Sequence, residues 1–214
     1  MASIVSDNPT LENNNTAYGY EHKRLFYLHD LEDWKVHHDD TDVRGWDVKL
    51  GTNQKVGEIE NLIVDKAAEM VRYLEVTGDS DFYNDYRDNG YYLDRDSDRV
   101  FDADHDEHFI VPIGMARLDH SNRCVIVEGV QAEVFGKVPR YRRGSELLPS
   151  YEVRTVDFYN DYTPDHAKGY DRNRYSNFDD SKYRSLDDSF YKSGYFNSDR
   201  YYNRHEEAIT SKGL

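Results

Sequence analysis

The chain has 214 residues, of which 37% are hydrophobic and 32% charged, and a net charge of −15. An acidic chain is repelled by phosphate backbones and anionic lipid, so neither nucleic acid nor direct membrane insertion is expected. The lone cysteine, Cys124, excludes an internal disulfide, and its neighbours in RCVIV mark it as a buried, inert thiol.

The charge is local. Residues 1–42 carry −6 and residues 79–108 carry −8, whereas residues 109–144 carry +3. The N-terminal MASIVSDNPTLENNN has no basic region and no long apolar run, so it does not read as a secretory signal. No stretch approaches the roughly 20 apolar residues of a spanning helix, and a cytoplasmic location is expected. Composition divides the chain into a disordered leader at 1–20, a domain at 21–144 interrupted by an acidic insertion at 79–108, and a Tyr-rich acidic tail at 145–214.

Leu25, Phe26 and Leu28 suit a short strand. HDLEDWKV suits one helical turn with Leu31 and Trp34 on one face, Trp34 covering one end of the core. His37 and His38 are adjacent; in extended chain they point to opposite faces and make a poor metal pair. Strands are predicted over Val43–Leu50, Lys55–Asp65 and Met70–Val76, separated by the turn residues Gly51-Thr-Asn-Gln and the short connection Asp65-Lys-Ala-Ala-Glu. This is an antiparallel meander. The consecutive Leu62, Ile63 and Val64 fit a strand covered on both faces, as in a small barrel.

After the insertion the pattern resumes in HFIVPIGMARLDH, with Pro112 and Gly114 marking an edge or bend, and in RCVIVEGV. QAEVFGKVPRYRRG closes the domain as a short helix or loop, and Arg140, Arg142 and Arg143 read as a solvated turn rather than a phosphate site. The expected core is Val43, Trp46, Val48, Val56, Ile59, Leu62, Val64, Val71, Leu74, Val76, Ile110, Ile113, Val125 and Val127.

Ten of the nineteen tyrosines lie in the tail. Asp81-Phe-Tyr-Asn-Asp-Tyr in the insertion recurs as Asp157-Phe-Tyr-Asn-Asp-Tyr, and two eight-residue units, Phe178–Ser185 and Leu186–Ser193, stand side by side. Aromatics among charges suit a sticky disordered segment or a weakly ordered surface layer, with LLPSYEVRTVDFY able to form a docked helix. On this reading Tyr83, Tyr86, Tyr159 and Tyr162 are candidate partner-contacting residues.

The insertion holds the most suggestive metal ligands. Asp94, Asp96 and Asp98 alternate, as do Asp102, Asp104 and Asp106. A calcium loop of the EF-hand type needs Gly at its sixth position and Glu at its twelfth. Those positions hold Arg99 and His105 in one register, Glu107 and Ile113 in the other. A solvated acidic loop is therefore favoured over calcium. No nucleophile signature or Gly-rich phosphate loop is present, so no catalytic residue and no cofactor is expected.

VRGWDVKL, KVGEIENLIVD and VRYLEV, followed by VPIGMARLD, VIVEGV and VPRYRRG, resemble the PRC-barrel family, named for the cytoplasmic domain of the photosynthetic reaction centre H subunit. YLHDLEDWKV and DTDVRGW resemble that reaction-centre branch. The resemblance implies a mainly β fold, a small antiparallel PRC-type β-barrel carrying the insertion and a partly disordered or helical tail. It implies a non-enzymatic interaction or scaffold module that binds a protein partner or itself. A reaction-centre-like accessory protein of photosynthetic electron transfer at a membrane, and a ribosome-associated RNA maturation factor, are its alternatives.

Overall fold

The structure, a computed structural model, describes residues 3–7, 23–83, 108–199 and 201. Its spine is β5 (Lys55–Asp65), the longest strand. Its 11 residues are long enough for β5 to pair with two strands along one edge. Its first half pairs with β4 (Asp47–Leu50) and its last three residues with β2 (Leu25–Tyr27). Along the other edge runs β6 (Met70–Gly78). Gly57 permits that approach: a Cβ there would sit 2.4 Å from the Thr77 carbonyl oxygen.

β7 (His108–Pro112) extends the sheet beyond β6. A 3-10 turn at Ile113–Met115 leads into β8 (Ala116–Asp119), which hairpins with β9 (Cys124–Val127). The order is β7-β6-β5-β4-β9-β8, with β2 on β5.

This corrects the expected closed antiparallel barrel. β4 and β9 run parallel, and the two ends of the path, β7 and β8, are not hydrogen-bonded to each other among the described residues. The physical reason lies in the single segment expected as one strand, HFIVPIGMARLDH. Pro112 donates no ladder hydrogen bond, and the turn after it breaks the segment in two. The sheet is mixed and open, and helices pack against it.

The expected leader contributes too. Ile4–Ser6 forms β1, which pairs with β3 (Trp34–Val36), and Ile4 is buried. The single helical turn expected over HDLEDWKV is instead a 3-10 turn at Leu28–Asp30 followed by β3. Trp34 is half-buried against the core.

Beyond the sheet come α1 (Ala132–Phe135), α2 (Pro149–Tyr162), α3 (Arg172–Tyr175) and α4 (Asp188–Tyr191). α2 starts with Pro149, whose fixed φ suits a first turn, and stops at Thr163 before Pro164. Its buried face runs through Glu152, Val156 and Tyr159, one helical turn apart. Over residues 149–199 the tail is thus neither disordered nor a surface layer. Tyr151, Tyr159, Tyr175, Phe190, Tyr191, Tyr195 and Phe196 join the same core as the strands. Gly114 and Gly194 meet backbone to backbone: a Cβ on Gly114 would lie 2.5 Å from the Gly194 carbonyl oxygen.

The two copies of Asp-Phe-Tyr explain themselves as anchors. Phe82–Tyr83 and Phe158–Tyr159 each form an edge-to-face pair, with centroids 4.9 and 5.2 Å apart, and Phe190–Tyr191 repeats the arrangement at 5.3 Å.

Candidate functional site

An open cleft of about 850 Å3 lies where β5, the end of β6 and the start of β7 meet residues 142–143. The sheet register places Thr77 opposite His108, while the alternation of Glu58 and Glu60 about Ile59 in β5 brings Glu60 to the same rim. His108 Nε2 lies 2.5 Å from Glu60 Oε2, to which the Thr77 hydroxyl donates at 2.8 Å. Arg143 ion-pairs with the other oxygen of Glu60. Burial raises the Glu60 carboxyl, but hydrogen bonds from His108 and Thr77 outweigh it and hold the group below its usual range.

Behind this rim the Tyr141 hydroxyl donates to Glu75, and Tyr27 lies 3.5 Å from Tyr141 oxygen to oxygen. Burial pushes Glu75 upward and Tyr27 to about 12.

Thr, His and Glu in one cluster invite comparison with a nucleophile–base–acid triad, and the geometry excludes it. A triad uses opposite nitrogens of the imidazole, one for the nucleophile and one for the acid. Here Thr77, at 3.2 Å, and Glu60 both address Nε2, while buried Nδ1 has no hydrogen-bond partner. The cluster ties three strand positions and the exit segment together; it does not activate the hydroxyl.

A second polar network, buried except at Asp188, joins Arg24, β5, β6, α2 and α4. Arg24 and Arg72 converge on Asp65 Oδ2, at 2.7 and 3.0 Å, and Arg24 also reaches Asp188 at 2.6 Å. Between the guanidiniums sits the ring of Tyr191, 4.5 Å from Arg24 and 5.2 Å from Arg72. The Tyr191 and Tyr73 hydroxyls both donate to Glu152 Oε2, at 2.7 and 2.8 Å. Burial pushes Glu152 up to about 8, against the pull of those two hydrogen bonds.

Every residue expected in the core is buried, from Val43 and Trp46 on the β4 side to Val125 and Val127 in β9. The expected contact tyrosines divide. Tyr83 and Tyr159 are buried and offer no surface, Tyr162 is exposed, and Tyr86 lies outside the described residues. Asp94, Asp96, Asp98, Asp102, Asp104 and Asp106 also lie outside them. Cys124 is buried, and burial raises its thiol. Of the basic patch read as a solvated turn, Arg143 pairs with Glu60 and Arg140 stacks 3.3 Å from the centroid of Tyr83. Sequence reasoning did not find the Glu60–His108–Thr77 cluster. Its one local signal was the polar alternation in β5; the pairing of residues 60 and 108 needed the sheet.

No helix among the described residues is long and apolar enough to cross a membrane. Residues 35–133 match the PRC-barrel domain family, a match to the domain and not to the reaction-centre branch in particular. The open sheet also departs from the barrel that the reaction-centre-like description required, so that description is set aside. PRC-barrel domains are generally non-catalytic. No curated protein matches the chain.

Proposed function

We propose that the chain is a non-enzymatic, cytoplasmic interaction module of the PRC-barrel type that docks a protein partner, a second copy included, at the β5–β6–β7 cleft. The observation that carries this reading is the cleft itself. It is open, and its ionic lining is balanced: Lys55, Arg142 and Arg143 are set against Glu58, Glu60 and Asp79, with Lys55 paired to Asp47 and Glu60 to Arg143. Such a surface suits a polar protein segment better than a strongly charged small ligand, because pre-paired ions give orientation and specificity rather than raw affinity. The exposed Lys55 and Glu58, both lining the cleft, supply the register.

The test is affinity capture with the full chain and with Lys55→Glu/Glu58→Lys, alongside light scattering of each. The parent is expected to bring down a defined partner, or to run as a dimer, and the charge-reversed chain to lose it while melting at the same temperature. A parent that stays monomeric and captures nothing, or a variant that keeps the same partner, defeats the proposal.

A further inference from the structure

At the end of β3 the chain turns sharply, and Asp40 donates its N–H to the His37 carbonyl at 2.9 Å. An extended chain would point His37 and His38 to opposite faces; this turn sets their ring centroids 4.2 Å apart with planes inclined by 36°. The Asp39 carboxylate joins them, Oδ1 lying 3.3 Å from His38 Nε2 and Oδ2 lying 3.7 Å from His37 Nδ1. One donor atom from each of the three residues lies within 4.8 Å of the other two. A tetrahedral ion with bonds of about 2.0–2.1 Å needs its ligands roughly 3.3 Å apart, so small rotations close the set.

We propose that His37, His38 and Asp39 form an open surface site for a divalent transition-metal ion, solvent completing the coordination. Two imidazoles and one carboxylate select borderline d-block cations; calcium and magnesium require more oxygens than the turn provides.

The backbone beneath the site is already fixed. The His37 N–H donates to the Ser3 carbonyl at 3.0 Å, and the Ser3 N–H and hydroxyl donate to Asp40 Oδ2 at 2.9 and 2.6 Å. Coordination therefore orders three side chains and little main chain. One weak bond competes, Asp39 N–H to His37 Nδ1 at 3.3 Å, and it is given up when Nδ1 turns to the ion. Because β1 enters through Ser3, a bound ion braces the turn that receives the N-terminal strand.

The test is calorimetric titration of the full chain with Cu2+, Ni2+ and Zn2+, with Mg2+ and Ca2+ as competitors. The same titrations are run on His37→Ala/His38→Ala and on Asp39→Asn. Other histidines and acids remain in all three proteins, so the difference between curves is the readout. The expected result is one class of site, tightest for Cu2+, that is lost in the double variant, weakened in Asp39→Asn and untouched by Mg2+ or Ca2+. Nitrogen couplings in the Cu2+ spin-resonance spectrum should vanish with it. These side chains are half-buried or exposed, so the metal-free melts should coincide. Titration curves that superimpose across the three proteins, or no heat of binding at all, overturn the site.

Discussion

The sheet and the C-terminal segment bury comparable faces by different chemistry. β4, β5, β6 and β9 fill the interior with Val, Ile and Leu, which suit a pleated surface and need no polar partner. The segment from Pro149 to Tyr201 has few aliphatics and packs with Tyr and Phe, whose hydroxyls must then be satisfied. Tyr191 and Tyr73 find Glu152, Tyr151 finds the Pro139 carbonyl, and Tyr170 finds Asp157. Aliphatic burial is indifferent to pH and to neighbouring charge. Aromatic burial with polar tips ties the segment to specific acids and arginines, so its docking depends on groups that titrate.

The largest expected effect tests whether the two regions are one folding unit. Ending the chain at Leu148 removes the cover over Tyr73, which packs edge-on to Phe196, and over Met115, which accepts the Thr163 hydroxyl. Cooperative thermal unfolding, followed by circular dichroism, should be lost. A sharp melt for the shortened chain would make the sheet an independent domain.

Next comes the junction. Asp65→Ala leaves Arg24 and Arg72 buried without their shared carboxylate, and denaturant unfolding should show a loss of about 3–5 kcal/mol. A loss under 1 kcal/mol would mean that the cation–ring contacts with Tyr191 hold the region alone.

Glu152 carries the pH dependence. Its folded carboxyl titrates at about 8 against an ordinary value of 4.5, so the folded chain keeps a proton that the unfolded chain gives up. Stability therefore falls as pH rises from about 4.5 to about 8, by at most about 1.4 kcal/mol per unit from this group, and levels off above. Glu152→Gln should flatten the slope measured by urea unfolding between pH 6 and pH 8. An unchanged slope assigns the dependence elsewhere.

Smaller effects mark where tyrosine hydroxyls do nothing. The Tyr159 hydroxyl is buried without a hydrogen-bond partner, so Tyr159→Phe should raise stability by about 1 kcal/mol. Tyr162, exposed three residues on, should tolerate Ala within about 0.5 kcal/mol. If the two substitutions behaved alike, the distinction between anchoring and exposed tyrosines would fail.

Local features were legible in the sequence for local reasons. The turn at Gly51–Gln54, with Asn53 at positive φ, and the limits of β5 follow from turn chemistry and apolar runs. LLPSYEVRTVDFY reads as able to form a docked helix, and the helix runs from Pro149 to Tyr162. The hidden parts are non-local: β4 beside β9 in parallel, Arg24 beside Asp188, Glu60 beside His108. The Tyr-rich composition misled because propensity and charge describe a segment alone, whereas its order comes from what covers it. His37 and His38 misled in the same way, since adjacency implies opposite faces only while the chain stays extended.

The sequence by itself determined β5 and β6 with the turns that flank them, the aliphatic residues of the sheet core and the likeness to the PRC-barrel family, because these depend on periodicity and neighbouring residues. Only the tertiary structure decided that the sheet is open and mixed, that Asp-Phe-Tyr is an anchor, and that Glu152 lies buried between two tyrosines. Those outcomes depend on which surfaces meet, and burial sets the chemistry of a tyrosine or a carboxylate only after they have met.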